Sequence, residues 1–189
     1  MTLALAAAAG SFVASAGTAT AAPLVASCAE AVQSTGEPSF DPSRDVTIGP
    51  ATIQFARRTP RQRRDAFGGH GFKLPLGLSA DVTAVVSVPV RWRRSVRLVY
   101  DLDVQRKVLE RGVRAGSKAV RFEACPASES PGATGWAGGI VVRRRTCAAL
   151  KVEVVGEPRS IVERVPFGKR CPKRDERANP ERDGQTGAE

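Results

Sequence analysis

Residues 81–100 read DVTAVVSVPVRWRRSVRLVY, and this stretch decides the fold class. Val82 to Val88 is a run rich in β-branched side chains, and Pro89 ends it because proline has no N–H to give to a strand ladder. After the basic segment 91–95 the pattern resumes. Val96, Leu98 and Tyr100 alternate with Arg97 and Val99, the period expected of a half-buried strand.

The same signature recurs on both sides. Towards the N-terminus, Val46-Thr47-Ile48 and Ala51 to Phe55 flank Gly49-Pro50, as a strand interrupted by a turn or bulge would. Arg57 to Gly71 is polar and glycine-rich and reads as a loop, and Phe72-Lys73-Leu74 with Leu76 reads as a short strand. Towards the C-terminus, Asp101 to Gly116 (DLDVQRKVLERGVRAG) is the helix candidate, with Leu102, Arg106, Leu109 and Val113 on one face. Gly112 and Gly116 close it early, so it reads as a short helix or an extended loop. Lys118 to Ala124 alternates cleanly, and Cys125 to Gly135 is loop. Gly138 to Val142, Ala148 to Val155 and Ile161 to Phe167 read as three closing strands. About eight short strands with regular turn spacing predict an all-β, antiparallel, disulfide-stapled sandwich, immunoglobulin-like or jelly-roll-like, with at most one short helix.

The chain divides around that pattern. Residues 1–21 are uncharged and Ala-rich, and Ala19-Thr20-Ala21 fits the A-x-A rule, so the segment reads as a signal peptide. No Lys or Arg precedes its apolar stretch, which implies an internal start or an atypical leader. Residues 22–45 read as an N-terminal extended segment, 46–171 as the β domain, and 172–189 as a disordered tail. Ser27 and Glu30 have capping-box spacing for one short helical turn. The apolar share is 42% but aromatics are 5%, so Val, Leu, Ile and Ala must fill most of the interior.

Cys28, Cys125, Cys147 and Cys171 are an even set behind an export signal, which places the protein in an oxidising, extracellular or cell-envelope compartment. Three pairings are open to four cysteines. Cys125 with Cys147 brackets one loop and hairpin, leaving Cys28 with Cys171 to tie the start of the domain to its last strand. In an alternative, Val25-Ala26-Ser27-Cys28 loosely fits the lipoprotein pattern, with Cys28 acylated. That would strand one of three remaining thiols, so parity favours two disulfides.

The stretch Ser117 to Val142, the lone Cys147 and the closing Val165-Pro166-Phe167-Gly168-Lys169-Arg170-Cys171 resemble uncharacterised exported proteins of GC-rich, actinobacterial-type bacteria. In these a strand ends in Phe-x-Ala-Cys, a Gly-Gly strand follows, and the domain closes on Phe-Gly-x-x-Cys. Leu98 to Asp101 is also similar. The resemblance implies a secreted or envelope β domain and no assigned activity.

The formal net charge is +10, and Arg supplies 23 of the 29 basic residues. A GC-rich coding sequence favours Arg over Lys without selection for binding, so clustering is more informative than the total. Three clusters stand out: Arg57, Arg58, Arg61, Arg63 and Arg64; Arg91, Arg93 and Arg94, with Arg97 beyond; and Arg143, Arg144 and Arg145. If they converge, they would hold an anionic cell-wall polymer or a phospholipid surface. Nucleic acid is not expected, since export and the lack of a stacking platform argue against it.

Catalytic signatures are sparse. His70 is the sole histidine, in Gly68-Gly69-His70-Gly71, read as a flexible loop; an extracellular hydrolase would have to use it, yet no Gly-x-Ser-x-Gly elbow is present. Asp101 and Asp103 more naturally balance arginines than form a glycosidase pair. The cysteines lack C-x-x-C spacing, so neither metal nor other cofactor is expected. Trp136, between Gly135 and the pair Gly138-Gly139, reads as a core residue rather than a sugar-stacking platform. These residues predict a non-enzymatic binding or structural module of the envelope.

Overall fold

The computed structural model describes residues 22–32 and 40–172. The signal-peptide reading of 1–21 and the tail reading of 173–189 lie outside the described residues. The chain is mostly β: β1 (Leu24–Ala26), β2 (Val46–Ile48), β3 (Ala51–Ile53), β4 (Gly71–Lys73), β5 (Leu76–Ser79), β6 (Thr83–Ser87), β7 (Val96–Val99), β8 (Ala119–Glu123), β9 (Ala133–Trp136), β10 (Gly139–Val142), β11 (Thr146–Val154) and β12 (Ser160–Phe167). They form a five-stranded sheet ordered β1-β8-β6-β11-β12, a three-stranded sheet β4-β10-β7 and a four-stranded sheet β2-β3-β5-β9.

Three expectations need correction. The pairing is antiparallel except at one edge, where β1 runs parallel to β8 with Ala26 opposite Phe122. Leu24–Ala26, in the segment read as extended, thus adds a strand to that sheet. The region expected to be loop after Cys125 contains β9, which pairs with β5. Helical structure also exceeds one short helix. Besides Leu102–Arg111 there are a distorted turn at Ala66–Gly69 and 3-10 turns at Cys28–Glu30, Ala56–Arg61, Val90–Trp92 and Val113–Ala115. The Cys28–Glu30 turn sits where capping-box spacing placed it, the Glu30 carboxylate accepting from the Ser27 N–H at 3.0 Å.

The helix Leu102–Arg111 has clear local causes. Asp101 caps it, its Oδ1 accepting from the Val104 N–H at 2.8 Å, and Asp103 supplies a carboxylate to the positive end of the helix dipole. Gly112 stops it at φ 75°, a conformation that glycine adopts without a Cβ penalty. Val104 and Val108 face inward and join Val99, Val113, Val141, Ala66 and Phe67 in a small core. Val96, Leu98, Ile140 and Val142 point the other way, into the main core. Strands β7 and β10 are thus covered on both faces and buried at every residue.

The main core draws on all three sheets. At its centre Phe122 meets Tyr100 edge-on at 5.2 Å and Trp136 at 5.0 Å between ring centroids. Trp136 is 2% exposed, a core residue as expected, and its Nε1–H donates to the Ser27 carbonyl at 2.9 Å. Close approach explains the neighbouring glycine pair: a Cβ on Gly139 would overlap the Phe72 carbonyl oxygen, and one on Gly138 would overlap the Tyr100 ring.

All four cysteines are oxidised, but the pairing differs from expectation. The bonds are Cys28–Cys125 and Cys147–Cys171, with Cα atoms 4.8 Å and 5.1 Å apart. Strands β8 and β11 both lie antiparallel to β6, so they run in the same direction. Cys125 follows the end of β8 and Cys147 stands near the start of β11, which puts them at opposite ends of the sheet, beyond disulfide reach. Parallel pairing of β1 with β8 instead carries Cys28 and Cys125 off the same end. The Cys28 sulfur that acylation would need is thereby committed to a disulfide. Two disulfides mark an oxidising, extracellular-type environment.

Candidate anion-binding site

The segment 55–64 is held in place by buried polar groups. Asp45, 1% exposed, accepts the Phe55 N–H at 2.7 Å through Oδ1 and the Asp41 N–H at 3.0 Å through Oδ2. Phe55 turns the chain at φ 60°, and Arg57 donates from its N–H to the Arg44 carbonyl and from Nε to the Asp45 carbonyl, both at 2.8 Å. Thr59 is fully buried. Its Oγ1 lies 2.8 Å from the Ala56 carbonyl and 2.7 Å from the Pro166 carbonyl, and accepts the Gly168 N–H at 3.0 Å. One hydroxyl thus joins the 3-10 turn to the end of β12. Thr59→Val keeps the shape but strips these partners, and is expected to cost about 2 kcal/mol in urea unfolding.

That junction brings arginines from distant parts of the chain together. Arg57, Arg58, Arg61, Arg164 and Arg170 line a groove of about 510 Å3 between the 3-10 turn and the end of β12, with the Cys147–Cys171 disulfide at its rim. No acidic residue lines it. The Arg58 guanidinium is 6.0 Å from the Phe55 ring centroid. Arg61, Arg164 and Arg170 have no side-chain hydrogen bond or ion pair among the described residues. Asp41 stands nearby. Hydrogen bonds from the Ser43 hydroxyl and N–H, and then the charges of Arg44 and Arg58, hold its carboxyl below the usual range.

Not every clustered arginine is available. Arg64 donates to the carbonyls of Gly69, Val142 and Arg143 at 2.9 to 3.1 Å. Arg145 reaches Pro60 at 3.1 Å and Gln62 at 2.7 Å, and Arg93 reaches Val88 at 2.9 Å. These three guanidinium groups hold backbone carbonyls. Arg91 lies over the Trp92 ring, 5.6 Å from its centroid. Arg63, Arg94, Arg143 and Arg144 are exposed.

The bonds made by Arg64 and Arg145 also show that the first and third clusters adjoin. The Arg143 N–H donates to the Ser95 carbonyl at 2.9 Å, so the second cluster adjoins them too. Sequence clustering missed Arg164 and Arg170. Each is isolated among non-arginine neighbours, and the disulfide that fixes Cys171 beside Cys147 is the signal that would have placed Arg170.

His70 is not on a free loop. Its carbonyl accepts the Val142 N–H at 2.8 Å and its N–H donates to the Ala66 carbonyl at 3.1 Å. It lines a depression of about 380 Å3 with Arg64, Arg111, Val113, Arg114 and Arg143, and neither a hydroxyl nor a carboxylate side chain lines it. A wider cleft of about 630 Å3 runs past Phe67, Tyr100 and Trp136. There the Tyr100 hydroxyl is spent on the Leu74 carbonyl at 2.7 Å and the Trp136 N–H on Ser27. Cys28, Cys125 and Glu129 place potential metal-ligating atoms within 4.8 Å of one another, but the two sulfurs are bonded to each other.

No family model, curated protein or solved structure matches this chain.

Proposed function

We propose that this chain is a secreted, non-enzymatic β-sandwich module of the cell envelope that binds an anionic polymer through its arginine groove. The observation that carries the reading is the groove itself. Five arginines line it without an acidic residue, and Arg61, Arg164 and Arg170 are not spent on described protein partners. Guanidinium groups present paired N–H donors that match phosphate and carboxylate oxygens. A rigid rim favours binding because little order has to be created when the ligand arrives. Thr59 and the Cys147–Cys171 disulfide supply that rigidity here. A polymer also suits the continuation of positive charge past the groove, through Arg63 and Arg144, better than a compact ligand would.

The test uses polyphosphate of defined length as probe, with vesicles containing anionic phospholipid as a second arm. Binding to polyphosphate is expected to weaken as salt rises, because each contact releases counterions. Replacing Arg61, Arg164 and Arg170 together by Gln should reduce affinity roughly a hundredfold, at about 1 kcal/mol for each cation removed. Equal affinity in the triple variant would overturn the groove as the site. Binding to vesicles but not to polyphosphate would replace the polymer by a lipid surface.

A further inference from the structure

Strand β12 closes one edge of the five-stranded sheet and pairs there with β11 alone. Pro166 shows which of its backbone groups face outward. It stands opposite Cys147 with no N–H to give β11, and its carbonyl lies 2.7 Å from the Thr59 hydroxyl, outside the sheet. In an antiparallel ladder the backbone groups point alternately to either side of the strand. Arg164, Val162 and Ser160 are in phase with Pro166, so their N–H and C=O groups also turn away from β11.

That outer edge is capped only in part. Thr59 closes it at Pro166 and at Gly168, whose N–H reaches the same hydroxyl at 3.0 Å. The Arg164 N–H is taken by the Glu163 carboxylate at 2.9 Å. The outward N–H and C=O groups of Val162 and Ser160 meet no described residue. Apolar side chains are uncovered at the same place, Ile161 being 40% and Val162 49% exposed. Ile161 rests on Gly49, where a Cβ would overlap its Cδ1. An open edge of this kind is a template for another strand.

The sequence of β12 selects a second copy of itself. Open groups on one strand must face open groups on the other, so an antiparallel, two-fold pairing can centre on Ser160, Ile161, Val162 or Glu163. Centred on Glu163, it sets two carboxylates against each other. Centred on Val162, it sets Glu163 against Ile161, and Ser160 against Arg164, whose N–H is already spent. Centred on Ser160, it sets Val162 against Pro158, which has no N–H. Centring on Ile161 avoids all of these. Ser160 then meets Val162 on both sides of the axis, each such pair exchanging both hydrogen bonds. Ile161 meets its own copy, and Arg159 meets Glu163 at both ends, in the close pairs where side chains touch. Arg159 has no side-chain hydrogen bond or ion pair among the described residues, and Glu163 uses Oε1 for the Arg164 N–H while Oε2 is not so used. One step further, Pro158 faces the capped Arg164, and the pairing ends.

We propose that two copies of this chain dimerise by antiparallel pairing of β12 about Ile161, joining their five-stranded sheets into one continuous sheet. The contact is self-complementary, so it closes at two copies. A short paired edge falls in the class of transient interfaces, below about 1,200 Å2, so the dimer forms and dissociates with concentration. No guanidinium of the arginine groove is needed for it, and either can exist without the other.

Sedimentation velocity of the whole chain at rising concentration tests the pairing, and a reversible monomer–dimer equilibrium is expected. Arg159→Glu and Glu163→Arg should each weaken the dimer about tenfold, because symmetry turns both attractive pairs into like-charge pairs. The double reversal should restore it. Val162→Pro takes one hydrogen bond from each Ser160–Val162 pair and leaves the β11 ladder intact, as Pro166 already does in the same phase. It should be monomeric at every concentration with an unchanged far-ultraviolet circular dichroism spectrum. Loss of the dimer in both single reversals with recovery in the double one supports the register. A monomer throughout, a dimer indifferent to the single reversals, no recovery in the double reversal, or growth beyond two copies overturns it. If Val162→Pro does not fold, the charge reversals decide by themselves.

Discussion

Replacing Cys28 and Cys125 together by Ala is expected to lower the stability of the folded chain by about 5 kcal/mol, and replacing Cys147 and Cys171 by about 3.5 kcal/mol. The difference follows from loop length. The first bond joins residues 97 apart in sequence and the second residues 24 apart, and a longer closed loop removes more entropy from the unfolded chain. A total stability of about 5 to 15 kcal/mol is usual for a domain, so loss of the first bond alone consumes much of it. The bond also holds β1, a three-residue edge strand, and without it that strand has too few ladder bonds to stay docked. Urea unfolding of the two double variants checks the order, and a smaller loss for Cys28 and Cys125 would contradict it. Proteolytic mapping without reductant should return Cys28 linked to Cys125 and Cys147 linked to Cys171. A Cys125–Cys147 peptide would refute the connectivity.

The cysteine pairing shows what the sequence could and could not carry. Alternation in Val96 to Tyr100 and the β-branched run before Pro89 located β7 and β6, and Asp101 with Gly112 bounded the helix, because each signal is local. Sheet membership is not local. Strands β9, β10 and β11 follow one another in the chain yet enter three different sheets, and nothing in the intervening residues announces it. Cys125 and Cys147 therefore look close along the chain while the direction of β8 and β11 holds them apart. Leu24–Ala26 escaped notice because three residues are too few to show a period, and its partner β8 is remote.

The arginines divide in the same way. Runs such as Arg143-Arg144-Arg145 are visible as sequence clusters, but whether a guanidinium holds a carbonyl or stays free depends on which backbone crosses it. Arg145 is spent on Pro60 and Gln62, whereas the solitary Arg164 and Arg170 become groove walls because β12 and the second disulfide deliver them beside the Ala56–Arg61 turn. Arg97 looked like the outward residue of an amphipathic strand. The helix and the turn Val113–Ala115 cover that face, and a residue expected in solvent ends up buried.

Phe122→Ala is expected to cost about 4 kcal/mol, near the top of the range for a single core truncation. Phe122 is fully buried on β8 of the five-stranded sheet, paired with Ala84 on one side and Ala26 on the other. Its small neighbours leave the ring as the chief filler of that layer. The ring meets Tyr100, which directly follows β7 of the three-stranded sheet, and Trp136 on β9 of the four-stranded sheet. A single side chain therefore touches all three sheets. The rings placed to collapse into the space are Tyr100 and Trp136, and where they stay in position the cavity term adds to the lost transfer energy. Tyr100 and Trp136 are each tied by a hydrogen bond, to Leu74 and Ser27, which limits their relaxation further. Phe122→Leu should recover most of the loss, to within about 1.5 kcal/mol of the unaltered protein, because volume matters more here than aromatic geometry. Urea unfolding measures both costs, and near-ultraviolet circular dichroism reports whether Trp136 and Tyr100 keep their asymmetric packing in the Ala variant. A cost below about 2 kcal/mol for Phe122→Ala would mean that the three sheets are held together elsewhere, through the aliphatic contacts of Leu98, Ile140 and Leu150.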